Sequence, residues 1–330
     1  MQRSNRSLAL RSVIGGLVLL GLAACQPVAG QTSASSTATT TTPPPPVATG
    51  AGAIAAPAGF HYVGGDEFNG ATVDGSKWSE YHNNYGSANK ELECNTPNNA
   101  SESGGALKIQ ARRQTVTCPS GGTMNYTSAF LGSRETGTYY PKYARFEMRA
   151  KLPHAQGMWP AFWLRHHNGA GVAEVDIMEY FHSQVPGKAT QTLHLDGRTN
   201  LSKKTTAFEQ PTLTPGWHTW AVDILPDPAG VKFTFYVDGT AVHTYVDTQH
   251  NWAQAGTANG TWDIALNLAV GGNWVGAPDA QLGVLPNVSR CAIGGTYSTA
   301  CTTTGIKRVD WNNNATDTYQ VDYVRVYTPS

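Results

Sequence analysis

Glu174-Val175-Asp176-Ile177-Met178-Glu179 sets three carboxylates among apolar residues, in a chain of 330 residues of which only 14% are charged. Side chains alternate faces along a strand, so Glu174 and Asp176 share a face and Glu179, at an odd spacing, points to the other. A β-bulge at Ile177-Met178 absorbs the odd residue, returns Glu179 to the face of Glu174 and Asp176, and leaves Val175 on the buried side. Such a row is costly, because like charges a few ångströms apart raise one another's pKa and are relieved by sharing protons. General acid catalysis needs that condition, and glycoside hydrolysis with retention uses two carboxyls about 5–5.5 Å apart, one as nucleophile and one as acid. A calcium-binding acidic cluster or a solvated strand edge has the same local signature, so the surroundings must decide.

Those surroundings read as strands. Residues 106–111, 144–150, 219–224, 231–237 and 320–327 alternate apolar and polar side chains, as half-buried strands do. Val237-Asp238-Gly239-Thr240 reads as a hairpin turn in which Gly239 supplies positive φ. Gly, Asn, Pro and Asp interrupt the runs every ten residues or so, and no long helical period appears, which predicts one antiparallel β-sandwich over residues 59–330. With 23 basic and 23 acidic residues the formal net charge is zero, so nothing favours nucleic acid and a neutral partner fits better.

The N-terminal part differs. Arg3, Arg6 and Arg11 precede an apolar run from Val13 to Leu22, too short to span a bilayer as a mature helix, and then Leu22-Ala23-Ala24-Cys25. Residues 1–24 are expected to be a signal peptide, with Cys25 acylated as in the lipobox of bacterial lipoproteins; cleavage near Ala24 without lipid is the alternative. Residues 25–58 are rich in Ser, Thr, Ala and Pro, including Pro43 to Pro46, and read as a tether that cannot form a core. The expectation is an exported lipoprotein, held to a membrane by its lipid at the cell surface or in the periplasm.

Of five cysteines, removing Cys25 leaves Cys94, Cys118, Cys291 and Cys301, an even set that suits an oxidising compartment. Sequence proximity suggests Cys94–Cys118 and Cys291–Cys301. Metal binding is the rival, although the spacings do not match zinc sites.

Several stretches, in order along the chain, carry a family resemblance: Asp66-Glu67-Phe68-Asn69-Gly70, Asn89-Lys90-Glu91-Leu92-Glu93, Met158-Trp159-Pro160-Ala161-Phe162-Trp163, the acidic strand, Thr192-Leu193-His194, Leu266 to Gly272 and Val321 to Tyr327. Together they resemble the family-16 glycoside hydrolases, in particular the laminarinase-like branch. The resemblance implies a concanavalin A-like jelly roll with a concave cleft for a polysaccharide. It implies Glu174 as nucleophile, Glu179 as acid/base and Asp176 as the assisting carboxylate, with no cofactor for catalysis.

Trp159 and Trp163 share a face if their segment is extended, and aromatic faces stack on sugar rings; core packing is the alternative. His194 fits a neutral ring beside the acid/base. Arg134, Asn89 and Asn267 are further candidates for sugar contact, and Arg134 and Asn89 stand where the local pattern departs from the family's. A structural calcium on the convex side is also implied, with Glu67 and Asp322 as side-chain ligands and backbone oxygen near Gly105 as a third; two carboxylates alone do not select that ion. The chain is expected to act as a monomer on β-1,3-glucan, with a mixed-linkage glucan, a galactan or a non-catalytic glycan-binding role as alternatives.

Overall fold

Val231, Phe233, Phe235 and Val237 are buried while Lys232, Thr234 and Tyr236 between them are half-exposed. The two-residue period of the sequence is thus the pleat of a strand in this computed structural model. The structure describes residues 54–153, 157–166, 174–180, 189–194, 216–248, 262–275 and 318–330, and the backbone of 205–209, 291–293 and 296–298. Residues 1–53, with the expected leader, Cys25 and most of the tether, lie outside the described residues, as does Cys301; of Cys291 only the backbone is described.

Along the chain the strands are β1 (Phe60–Asp66), β2 (Ser79–Glu80), β3 (Glu93–Asn95), β4 (Ala100–Glu102), β5 (Leu107–Gln110), β6 (Arg112–Thr117) and β7 (Thr123–Ser128). Then come β8 (Phe130–Gly132), β9 (Ala144–Lys151), β10 (Met158–His166), β11 (Glu174–Tyr180), β12 (Ala189–His194), β13 (Thr205–Glu209) and β14 (Trp217–Asp227). The last are β15 (Gly230–Val237), β16 (Thr240–Asp247), β17 (Trp262–Val270), β18 (Cys291–Ile293), β19 (Thr296–Ser298) and β20 (Thr318–Pro329). A four-residue helix, α1 (Gly272–Val275), follows β17, and a 3₁₀ helix spans Tyr85–Asn89.

Two antiparallel sheets form a jelly-roll sandwich. One has the order β16-β15-β14-β9-β20-β5-β4, with β1 also on β20, and the other β13-β12-β11-β10-β17-β8-β2. Between them lies a core of Phe146, Met148, Trp220, Phe233, Phe235 and Val324 from the first sheet and Phe162, Val175, Met178, Leu193, Ile264 and Leu266 from the second. Truncating one such fully buried phenylalanine to alanine costs about 3–5 kcal/mol. At the β15–β16 hairpin, Val237 pairs with Thr240, and both turn residues, Asp238 and Gly239, have positive φ, 49° and 75°, the twist-compatible turn that the Asp-Gly pair favours.

β10 does not alternate: from Met158 to Arg165 every residue is buried. It sits mid-sheet between β11 and β17, its inner face on the core and its outer face under aromatic and charged side chains. A small three-stranded sheet, β3-β7-β6, is stapled by the Cys94–Cys118 disulfide, as sequence proximity suggested. In the chain-entropy picture a loop of this length contributes roughly 3 kcal/mol.

Candidate active site

β10 and β11 pair with Arg165 opposite Glu174, Trp163 opposite Asp176, Phe162 opposite Met178 and Ala161 opposite Glu179. One step along β10 therefore spans two along β11, and Ile177 is the extra residue. The other side of β11 shows the same slip, since Asp176 faces Thr192 and Glu179 faces Thr190. A bulge leaves backbone groups outside the ladder, and here the buried Gln191 answers one of them: its Nε2 donates to Ile177 O at 3.1 Å. Ile177 and Met178 both go into the core, so Glu179 returns to the outer face of the sheet with Glu174 and Asp176.

The three carboxyls there differ in environment. Glu174 keeps 22% of its side chain exposed, whereas Asp176 keeps 7%. Burial pushes Asp176 up to about 8. Glu179 is held well above the usual carboxylate range, first by burial and next by the charge of Asp176, with Glu174 adding to the effect and His194 and the Trp159 N–H opposing it. His194 lies opposite Glu174 on β12, with Nε2 at 2.9 Å from Asp176 Oδ2 and 3.8 Å from Glu174 Oε1. Trp159 Nε1–H donates to Glu179 Oε1 at 3.1 Å, and Thr192 Oγ1 reaches Glu179 Oε2 at 3.4 Å. The structure thus brings Glu174, Asp176, Glu179, Trp159 and His194 together. Ligand atoms of Glu174, Asp176 and His194 lie within 4.8 Å of one another, the grouping among the described residues with the spacing to hold a metal ion.

Trp163 shares the outer face of β10 with Trp159, as extension of the segment requires, and its Nε1–H donates to Asn267 Oδ1 at 2.8 Å. Asn267 on β17 stands opposite Ala161, which itself stands opposite Glu179. Both tryptophans are largely covered: Trp163 packs with Phe130, Ala161 and Ala265, Trp159 with Ala269 and Val275. Asn89 ends the 3₁₀ helix, and its Nδ2 donates to Glu91 Oε1 at 3.1 Å. Arg134 turns to the far end of β17: it pairs with the buried Asp263 at 2.8 Å and its Nη2 donates to His166 O at 3.4 Å, so its first partner is a buried carboxylate.

Six residues that the sequence reading did not single out complete this face. Arg165 Nε donates to Asp263 Oδ1 at 2.5 Å and its Nη1 to Tyr81 Oη at 3.0 Å. Tyr81 stacks on Phe130 at 4.4 Å, and Tyr85 lies 4.5 Å from the same ring. Trp274 on α1 is 43% exposed and Tyr85 36%; the elements that carry them touch. Exposed aromatic rings on a face with buried carboxyls are what a neutral glycan needs for stacking. The Trp274 signal was present in Gly271-Gly272-Asn273-Trp274, a glycine turn that ends a strand, whereas Tyr81 and Arg165 gain their neighbours only through tertiary pairing.

The expected calcium ligands are not brought together as a cation cage. Both oxygens of Glu67 accept from Arg325, each at 2.7 Å, Asp322 accepts from Arg149 at 2.8 Å, and Gly105 lies beside the Asn69 side chain. Carboxylates engaged by guanidinium groups do not fit the ligand set calcium requires. The first and last strands are tied by the β1–β20 ladder and the Arg325–Glu67 fork.

Comparison with known proteins agrees with this geometry. The family model "Glycosyl hydrolases family 16" matches residues 76–282. A glucan endo-1,3-beta-glucosidase of Cryptopygus antarcticus is 31% identical over 227 residues, 64% of this chain and 80% of that protein. Glucan endo-1,3-beta-glucosidase A1 of Niallia circulans is 29% identical over 298 residues, 82% of this chain but 38% of its own length. The X-ray structure of an endo-beta-1,3-glucanase from Pyrococcus furiosus superposes with a TM-score of 0.60 at 28% identity, covering 82% of this chain and 95% of that one.

Proposed function

Because the chain belongs to the glycosyl hydrolases family 16, we propose that it is an endo-acting, retaining β-1,3-glucanase working by double displacement. The observation that carries this reading is the bulge at Ile177, which puts an accessible Glu174 and a buried, proton-holding Glu179 on one face with Asp176 between them. Glu174, the most exposed of the three, attacks the anomeric carbon. Glu179 gives its proton to the departing oxygen, and Trp159 N–H and Thr192 Oγ1 hold it in place. Asp176 lies 2.9 Å from His194 Nε2 beside the nucleophile, and the proton that burial keeps on Asp176 limits the charge that builds up along the strand when Glu174 is ionised. After the leaving chain departs, Glu179 takes a proton from water, which opens the covalent intermediate.

The same proposal includes export, with Cys25 acylated, residues 26–58 as a tether, and a monomeric catalytic unit acting on glucan at a membrane surface. The Cys94–Cys118 bond supports an oxidising compartment. A product profile on a panel of β-glucans and galactans tests the substrate: oligosaccharides released from β-1,3-glucan are expected, and activity on a galactan with none on β-1,3-glucan overturns the assignment. Mass analysis of the exported protein tests the anchor, which requires a diacylglyceryl mass on the peptide beginning at Cys25.

A further inference from the structure

A second carboxyl pair lies beneath the end of the catalytic face that carries Trp159. Glu93 is 1% exposed, and its Oε2 accepts from Val270 N at 2.9 Å, where β17 gives way to Gly271. Glu91 is placed so closely over Gly86 that a Cβ there would fall 1.6 Å from its Oε2, and its Oε1 accepts from Asn89 Nδ2 at 3.1 Å. Two apart on an extended segment, the two carboxyls share a face; burial raises both, the charge of Glu91 raises Glu93 further, and the Asn89 amide lowers Glu91, so of the two Glu93 holds a proton the more firmly.

The surrounding backbone is bound to the same two turns. Leu92 N donates to Val270 O at 2.8 Å, and Asn84 Nδ2 donates to Glu91 O at 3.2 Å and Glu93 O at 2.7 Å. Gly272 approaches Asn89 O so closely that a Cβ would lie 2.8 Å away. Val275, at the end of α1, packs on Trp159, whose N–H holds Glu179.

Facing the pair are the 3₁₀ helix with Tyr85, Ser87 and Asn89, the end of β17, the Gly271–Val275 turn, and Tyr126 of β7 opposite Glu93. These contribute no charged side chain, Lys90 is exposed, and among the described residues no ion pair reaches either carboxylate.

We propose that Glu91 and Glu93 are positioning residues, a carboxyl pair holding one proton that fixes Asn89 and the Gly271–Val275 turn against each other and so sets the glycan grip at that end of the face. The proposal rests on the glycanase reading for its effect on substrate. The proton is the joint: with it, Glu93 donates to Glu91 and still accepts from Val270; without it, the buried Glu93 and the half-buried Glu91 repel as anions and the turns part. The sign follows, since a carboxyl raised in the native state holds a proton the unfolded chain has released, and this contribution is lost as pH rises through the native value.

Glu93→Gln supplies the same donor and acceptor at every pH. In the wild type, KM for a β-1,3-gluco-oligosaccharide should rise about tenfold between about pH 6 and pH 9, the equivalent of one lost hydrogen bond, with Glu93→Gln staying within about twofold. Comparing the two proteins at each pH removes the titration of Asp176 and Glu179, which both share. Hydrogen exchange on the substrate-free proteins reads the joint directly: at alkaline pH the amides of 85–92 and 270–275 should exchange several-fold faster in wild type than in Glu93→Gln. Equal exchange in the two proteins at every pH overturns the proposal, as does an equal KM at alkaline pH. Differing exchange without any hydrolysis of β-glucan sustains the joint and refutes the substrate reading instead.

Discussion

The outer faces of the two sheets carry the same kinds of residue arranged to opposite ends. On the eight-stranded sheet a group of carboxylates is held by guanidinium groups: Asp223 and Glu147 flank Arg145 at 2.9 Å each, Asp322 meets Arg149 at 2.8 Å, and Glu67, just past β1, is forked by Arg325. On the seven-stranded sheet Asp176 and Glu179 have no such partner among the described residues, and burial holds protons on both. Paired with arginine, a carboxyl keeps its charge and ties strands together. Left to burial and to its own kind it keeps a proton, which is reactive capital at neutral pH. The bulge at Ile177 produces the second condition, by forcing a third carboxyl onto a face that holds two.

The contrast can be broken residue by residue. Glu174→Ala should lower glucan hydrolysis by about 10⁴-fold or more without moving the melting temperature, and azide should restore turnover and yield an α-glycosyl azide; loss without rescue points away from a nucleophile. Glu179→Gln should cost about 10²–10⁴-fold, least on substrates whose leaving group needs no proton, which steady-state rates on aryl glycosides and on glucan will separate. Arg145→Met on the opposite face should do the reverse, destabilising by about 3–5 kcal/mol because two carboxylates lose their partner while kcat of the folded fraction stays near wild type; denaturant unfolding measures it. Trp159→Phe removes a donor that lowers Glu179, so the alkaline limb of kcat should move to higher pH. The smallest effect is the chelator's: with Glu67 and Asp322 held by arginines, melting curves with and without EDTA should superimpose.

Stability should carry the same signature. Asp176 and Glu179 are raised, so the native state binds protons that the unfolded chain has given up, and stability should fall as pH rises from the ordinary carboxylate range through the value of about 8 at Asp176. Asp176→Asn should flatten that slope.

What the sequence could reveal depended on whether a residue's environment is local. Strands with one wet face, such as Val231 to Val237, declare themselves by period, and the Asp238-Gly239 turn declares its backbone. The bulge was legible too, because five positions between two like-facing glutamates do not fit a pleat. β10 did not declare itself by period, since a strand buried on both faces has no alternation to show. Arg149 and Arg325 lie on other strands than the acids they neutralise or turn back to a remote segment, so a pair of acids that resembled calcium ligands could not be told from two halves of ion pairs. The same holds for Arg165, Asp263 and Tyr81, which meet from two strands and the loop after β2, and for Glu91 and Glu93, whose spacing of two on a short segment says nothing about the turns they hold.

The central claim is that the bulged strand places a nucleophile and an acid on one face, close enough for a covalent intermediate. Proton NMR of the first product formed from a β-1,3-glucan, recorded before mutarotation, tests it most directly. The β-anomer is predicted; an α-anomer would mean that water attacks between carboxyls set roughly 6.5–9.5 Å apart, and would contradict the account.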